Sequence, residues 1–157
     1  MKILQKALGA VWSKPTEHEQ TVDDVNVEEN QINVVSKENT MSTDISALSA
    51  IGGFIGACLV DSETGLMMAS EGGGKFDLEA AGAANTEVVK AKLNAIEMLG
   101  LNDNIDDILI TLGKQFHLIR PLEKNPTVFL YVALDKKAAN LGMARVQVKN
   151  VEKTISL

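Results

Sequence analysis

The stretch 54-FIGACLVDSETGLMMAS-70 decides how the rest of the chain is read. Phe54 to Val60 is a continuous apolar run without a charge. Its length and the turn that closes it favour a strand covered on both faces over a helix. Asp61-Ser62-Glu63-Thr64-Gly65 has the composition of a hairpin loop, with Gly65 able to take a left-handed conformation. Leu66 to Ser70 then returns as a second strand.

Working upstream, Ser42 or Thr43 can cap a short helix that runs through Ile51, with Asp44 near its positive end. Ile45, Leu48 and Ile51 give that helix one apolar side, and Gly52-Gly53 ends it. Working downstream, Gly72-Gly73-Gly74 reads as a flexible connection, and Asp77 can cap a helix from Leu78 to about Gly100. Ala81, Ala84, Val88, Ala91, Ala95 and Met98 repeat at alternating three and four residues, widened by Ile96 and Leu99. Side chains this small let another helix or a sheet come close. Three strands follow, Ile108 to Leu112, Gln115 to Leu122 and Thr127 to Leu134, joined by Gly113-Lys114 and Glu123-Lys124-Asn125-Pro126. Asp135 is expected to cap a last helix to about Ile155, with Leu141, Ala144, Val148, Val151 and Ile155 on one side. The fold class is therefore α/β, of the α+β kind: a five-stranded, mostly antiparallel sheet flanked by helices in the order α-β-β-α-β-β-β-α.

Residues 1–40 have a different character. In residues 1–14, MKILQKALGAVWSK, the side chains Ile3, Leu4, Ala7, Leu8 and Val11 share one helical face that Trp12 extends. Pro15 stops this helix, because proline disfavours helix in the residue before it. Its three Lys and absence of acids suit a tail helix docked on a partner or lying on a membrane surface. Residues 15–40 hold seven acids against one Lys and few large side chains, and read as an acidic flexible linker. Residues 41–157 read as one folded domain.

Charge and composition exclude several classes. The 157 residues carry a net charge of -6, concentrated in the linker. Residues 41–157 contain only Arg120 and Arg145 as arginines, too few to cluster on a phosphate backbone, so nucleic acid is not expected as a partner. Aromatic residues are 4% of the chain, so aliphatic side chains and Ala must fill much of the core. The single Cys, Cys58, excludes an intrachain disulfide and lies in an apolar run, where it reads as a small buried hydrophobe. His18 and His117 form no metal-spaced pair. No apolar stretch approaches the roughly 20 residues of a spanning helix, and no signal-peptide pattern opens the chain; a cytoplasmic protein is expected, possible contact with a membrane surface being confined to residues 1–14.

Catalytic patterns are absent. EGGGKF at 71–76 has neither the GxxxxGK[ST] nor the GxGxxG spacing, and Asp77 and Glu79 would repel a phosphate at the helix start. No Ser lies in GxSxG. Asp106 and Asp107 are adjacent at a strand entrance and point to opposite faces, so they are poorly placed to share a proton. His117 shares strand parity with Gln115 and Ile119 and reads as a half-exposed structural residue. Arg120 reads as a salt-bridge partner or an exposed charge, and Arg145 as facing solvent or a carboxylate; an arginine-finger role for either has no further support. No catalytic, cofactor-binding or metal-ligating residue is assigned, and no enzyme activity is expected.

IGGFIGACLVDSETGLMMAS, the Ala-rich helix LEAAGAANTEVVKAKLNAIEMLGL and the closing FLYVALDKKAANLGMARVQVKNVEKTI together resemble the roadblock (dynein light chain, longin-like) family over residues 41–155. The clearest local match is an apolar strand, Asp135, and then Ala139-Asn140-Leu141-Gly142 with Arg145. The resemblance implies a homodimer in which third strands pair edge to edge and second helices pack side by side. Carried onto this sequence, it names Ile108, Leu109, Ile110 and Thr111 for the strand seam and Ala84, Val88, Ala91 and Ala95 for the helix. Independently, Ile108 to Leu112 has neither Pro nor charge to blunt a sheet edge. Bacterial members imply a non-catalytic regulator or scaffold for a Ras-like small GTPase, including a GTPase-activating role; the other reading is an adaptor that recruits a different complex and is tethered by its N-terminal helix. Glu87, Lys90, Asn94 and Glu97, on the exposed side of the second helix, are the candidate partner platform.

Overall fold

The structure is a computed structural model that describes residues 41–157. The expected helix at 1–14 and linker at 15–40 lie outside the described residues. Five strands, β1 (Phe54–Asp61), β2 (Met67–Gly72), β3 (Ile108–Thr111), β4 (Gln115–Pro121) and β5 (Val128–Asp135), form one sheet in the order β2-β1-β5-β4-β3. Every neighbouring pair is antiparallel. Helix α1 (Leu78–Met98) follows β2, and helix α2 (Leu141–Glu152) follows β5. Because β2 and β3 are the two edges, the segment carrying α1 has to cross the whole sheet.

The apolar runs that pointed to two-sided strands occupy the centre. Leu59, Leu130, Val132, Leu134 and Leu118 join Ala144, Val148 and Val151 of α2 in one cluster. Cys58, Val60, Phe129, Tyr131 and Ile119 join Leu78 and Val89 of α1 in another. Alternation along β1 and β5 therefore feeds two cores at once. Two aromatic residues, Phe129 and Tyr131, are among the largest fully buried side chains.

Three expectations are corrected. The first helix is a short 3-10 segment, Ser46–Ala50. Neither Ser42 nor Thr43 caps it: Ser42 pairs with Ser156 in an isolated antiparallel bridge, while Asp44 accepts from Ser46 N at 2.9 Å. Asp135 does not cap α2 but ends β5, and its carboxylate accepts from Lys137 N and Ala138 N in a tight turn. The cap is Asn140, accepting from Met143 N at 3.0 Å, so the helix starts later than the sequence suggested. The triple-glycine connection is packed at its centre, where Gly73 is buried, while Gly74 faces open space. Gly73 has a φ of 92° and donates to Ile55 O, and a Cβ on Gly56 would meet the Gly73 backbone at 2.8 Å.

Helix α1 bears on an expectation left open, that its small-residue stripe would meet either a sheet or another helix. Its buried residues are Leu78, Gly82, Asn85, Thr86 and Val89, not the alanine stripe. Helix α1 rests on β1 at Gly82, where a Cβ would lie 2.9 Å from Val60 Cγ2. The two buried polar side chains satisfy themselves on their own helix, Asn85 donating to Ala81 O and Thr86 to Gly82 O. The stripe could have met either a sheet or another helix, and close approach gave the sheet to the face that holds a glycine.

Candidate interaction surface

The displaced stripe defines the first feature of the surface. Ala84 and Ala91 are exposed and Val88 and Ala95 partly buried, along the flank of α1 that faces β3. Val88, Ala91 and Ala95 line a shallow groove of about 650 Å³ with Ile108 and Leu109, and Lys92 and Asp107 stand at its rim. Beside it, among the described residues β3 bonds only to β4, in the register Ile108↔Ile119, Leu109↔Leu118, Ile110↔His117 and Thr111↔Phe116, and its outer edge is open. Ile108, Leu109 and Ile110 are half-buried and Thr111 is exposed. The fold thus brings seven of the eight candidate dimer residues, all but Ala84, to or beside one groove and one strand edge, and Ala84 lies one turn before Val88 on the same flank.

Glu87, Lys90, Asn94 and Glu97 follow a different side of α1. At about 100° per residue, Lys90 and Glu97 lie opposite Val88 and Ala95, while Asn94 is about 100–120° from them and Glu87 only about 40° from Ala91. Glu87 and Lys90 approach to 3.8 Å, with side chains 78% and 44% exposed, a loose surface pair worth little energy. Lys90 also helps to hold the Asp61 carboxyl below its ordinary range, after the larger contributions of hydrogen bonds from Thr64 and Glu63. This flank therefore leans toward the β1–β2 hairpin.

The two arginines are both engaged. Arg120 and Glu152 form an ion pair with side chains only 8% and 7% exposed. Arg120 Nη1 also donates to Asp106 O at 3.1 Å, and Glu152 Oε1 accepts from Glu123 N at 2.7 Å. One buried network thus ties β4 to α2, to the residues before β3 and to the β4–β5 turn. Its charges are mutually compensated, as a buried pair requires. Glu152 was legible in part: it follows Val148 by four residues and so shares the inward side of α2. Arg145 Nη2 donates to Asp107 Oδ1 at 2.8 Å, which joins α2 to the start of β3. An extended arginine reaching out of the domain is not what either side chain presents.

His117 sits on the α1 side of the sheet. The Tyr131 hydroxyl donates to Nδ1 at 3.1 Å, and Nε2–H donates to Gln115 Oε1 at 2.9 Å. This arrangement suits the neutral imidazole, and burial lowers its pKa from the ordinary 6.5. Phe76 packs on both His117 and Tyr131. Burial likewise pushes the Cys58 thiol up to about 12, where it is protonated and unreactive as a nucleophile. Among the described residues, no group of His, Cys, Asp or Glu is placed to hold a metal ion, and no helix is long and apolar enough to cross a membrane.

No family model and no curated protein matches the sequence. Solved structures do. A Roadblock/LC7 domain from Streptomyces avermitilis superposes with a TM-score of 0.60 at 12% identity, covering 69% of this chain and 87% of that one. This is the roadblock fold. MglB of Myxococcus xanthus matches with a TM-score of 0.56 at 19% identity, over 64% of this chain and 78% of that one. The gliding protein MglB of Thermus thermophilus matches with a TM-score of 0.56 at 15% identity, over 68% and 78%. At these identities the shared property is the roadblock fold itself: a five-stranded antiparallel sheet with helices on both faces.

Proposed function

We propose that this roadblock-fold protein is a non-catalytic homodimer that acts in the cytoplasm as a regulator or scaffold of a Ras-like small GTPase. The observation that carries the reading is that, among the described residues, β3 has an open edge beside an uncovered flank of α1. An unblunted edge next to a small-residue groove fits a second copy of the same chain, with β3 pairing to β3 and α1 to α1 about a two-fold axis. The fold shared with the gliding protein MglB supports the GTPase half of the reading. Glu87, Lys90, Asn94 and Glu97 would then form the platform for the GTPase, with Lys90 and Glu97 clear of the dimer flank and Glu87 at its border beside Ala91.

The test has two parts. Light scattering should give twice the chain mass for the wild type and the single mass for Ile110→Lys, with circular dichroism unchanged. A monomeric wild type removes the dimer. GTP turnover of the small GTPases of the same genome should change when the wild type is added. Absence of both binding and rate change across that set removes the GTPase and leaves an adaptor for another complex.

A further inference from the structure

Helix α2 covers the sheet face opposite α1, and its two sides differ sharply. Inward, it buries Ala144, Val148 and Val151, and Glu152 is consumed by Arg120. Outward, Met143 and Val146 are 57% and 55% exposed. Placed on a helix at about 100° per residue, Met143, Val146, Asn150 and Lys153 form the row that points most directly away from the sheet, with Lys149 alongside. The row is apolar at its start and cationic at its end. Glu152 is the only acid on α2, so the helix itself offers no exposed carboxylate to offset Lys149 and Lys153.

The fold does not call for this row. A solvent-facing helical position favours charged or strongly helix-forming residues, and β-branched Val146 is a poor helix former. Two adjacent apolar side chains followed by two Lys at i and i+4 are instead complementary to another helix. That helix would set aliphatic side chains on Met143 and Val146 and carboxylates on Lys149 and Lys153, four residues apart as the lysines are. A lipid surface fits less well, because two apolar side chains on a three-turn helix give little to insert.

We infer that the outward face of α2 is a docking surface for an acidic amphipathic helix of another protein. It is separate from the α1 flank and the β3 edge, and it does not depend on the dimer or on a GTPase. The probe is a labelled 18-residue peptide with Leu at helical i, i+3, i+4 spacing and Glu elsewhere, titrated by fluorescence anisotropy into the full chain. Its controls are the same peptide with Lys for Glu, and vesicles of phosphatidylglycerol and phosphatidylcholine. The Glu peptide should bind, and the Lys peptide should not. Binding should weaken as salt rises. Val146→Glu and the double variant Lys149→Glu/Lys153→Glu should each weaken it roughly tenfold or more, with thermal melting and oligomeric mass unchanged. No binding of the Glu peptide, equal binding of both peptides, indifference to both variants, or preference for the vesicles overturns the inference.

Discussion

The two faces of the sheet are built from the same strands but are finished differently. On one face, the 3-10 segment and α2 close over a continuous core that reaches from Ile45 to Ile155. On the other, α1 is the only cover among the described residues. Its last buried residue is Val89, and beyond it Leu93, Met98 and Leu99 are exposed at 40%, 87% and 69%. Ile108 and Ile110 are only partly buried there. The closed face accounts for the stability of a lone chain. The open face has apolar surface that the described residues leave uncovered, which is what an association surface requires.

The largest expected effect tests that division directly. Leu130→Ala on the closed face should cost about 2–5 kcal/mol, because it leaves a cavity in a fully buried cluster. Ile110→Ala, measured at concentrations where the chain is monomeric, should cost roughly 1 kcal/mol, since only part of that side chain leaves water. Urea denaturation of both variants gives the comparison, and equal costs would mean that the α1 face is closed in the single chain as well.

A smaller effect probes how tightly α1 is held. Gly82→Ala should lower stability by about 1–3 kcal/mol despite the better helix propensity of Ala, because the added methyl meets Val60 at 2.9 Å. A gain in melting temperature would show that α1 can lift from β1, making the open face more open than the contact implies.

The smallest effect is the pH response of His117. Its folded pKa lies below the ordinary 6.5, so the unfolded chain binds the proton more readily. The contribution is therefore complete above about pH 6.5 and is lost as pH falls through the depressed folded value. Denaturation between pH 7.5 and 5 should show a steeper fall for the wild type than for His117→Gln. Parallel curves would mean that the cluster with Tyr131 and Gln115 accepts the proton without penalty.

Much of this architecture was legible before any coordinate. Phe54 to Val60 and Val128 to Leu134 read as two-sided strands because uncharged runs of that length have no other economical cover. Gly65, Asp77 and Gly113 marked turns and a cap through local backbone chemistry. Helix starts were less certain where a second capping side chain competed: Asp135 and Asn140 are both good caps, and the turn built on Asp135 left the role to Asn140. The candidate site was legible as a list of residues but not as a place. Ala84, Val88, Ala91 and Ala95 are visible as a stripe, yet nothing local says that the stripe lies beside β3 rather than beneath the helix.

By itself, the sequence determined the five strands and two long helices and their order, the hairpin connections and the two-sided burial of the central strands, because these follow from periodicity and turn chemistry within a few residues. It also made Arg120 a plausible half of an ion pair. The tertiary structure alone decided that Glu152 completes that pair, that Gly82 rather than an alanine meets β1, and that the unburied stripe of α1 borders an open strand edge. Those outcomes depend on contacts between residues far apart in the chain, where close packing selects among helix faces that local pattern leaves nearly equivalent.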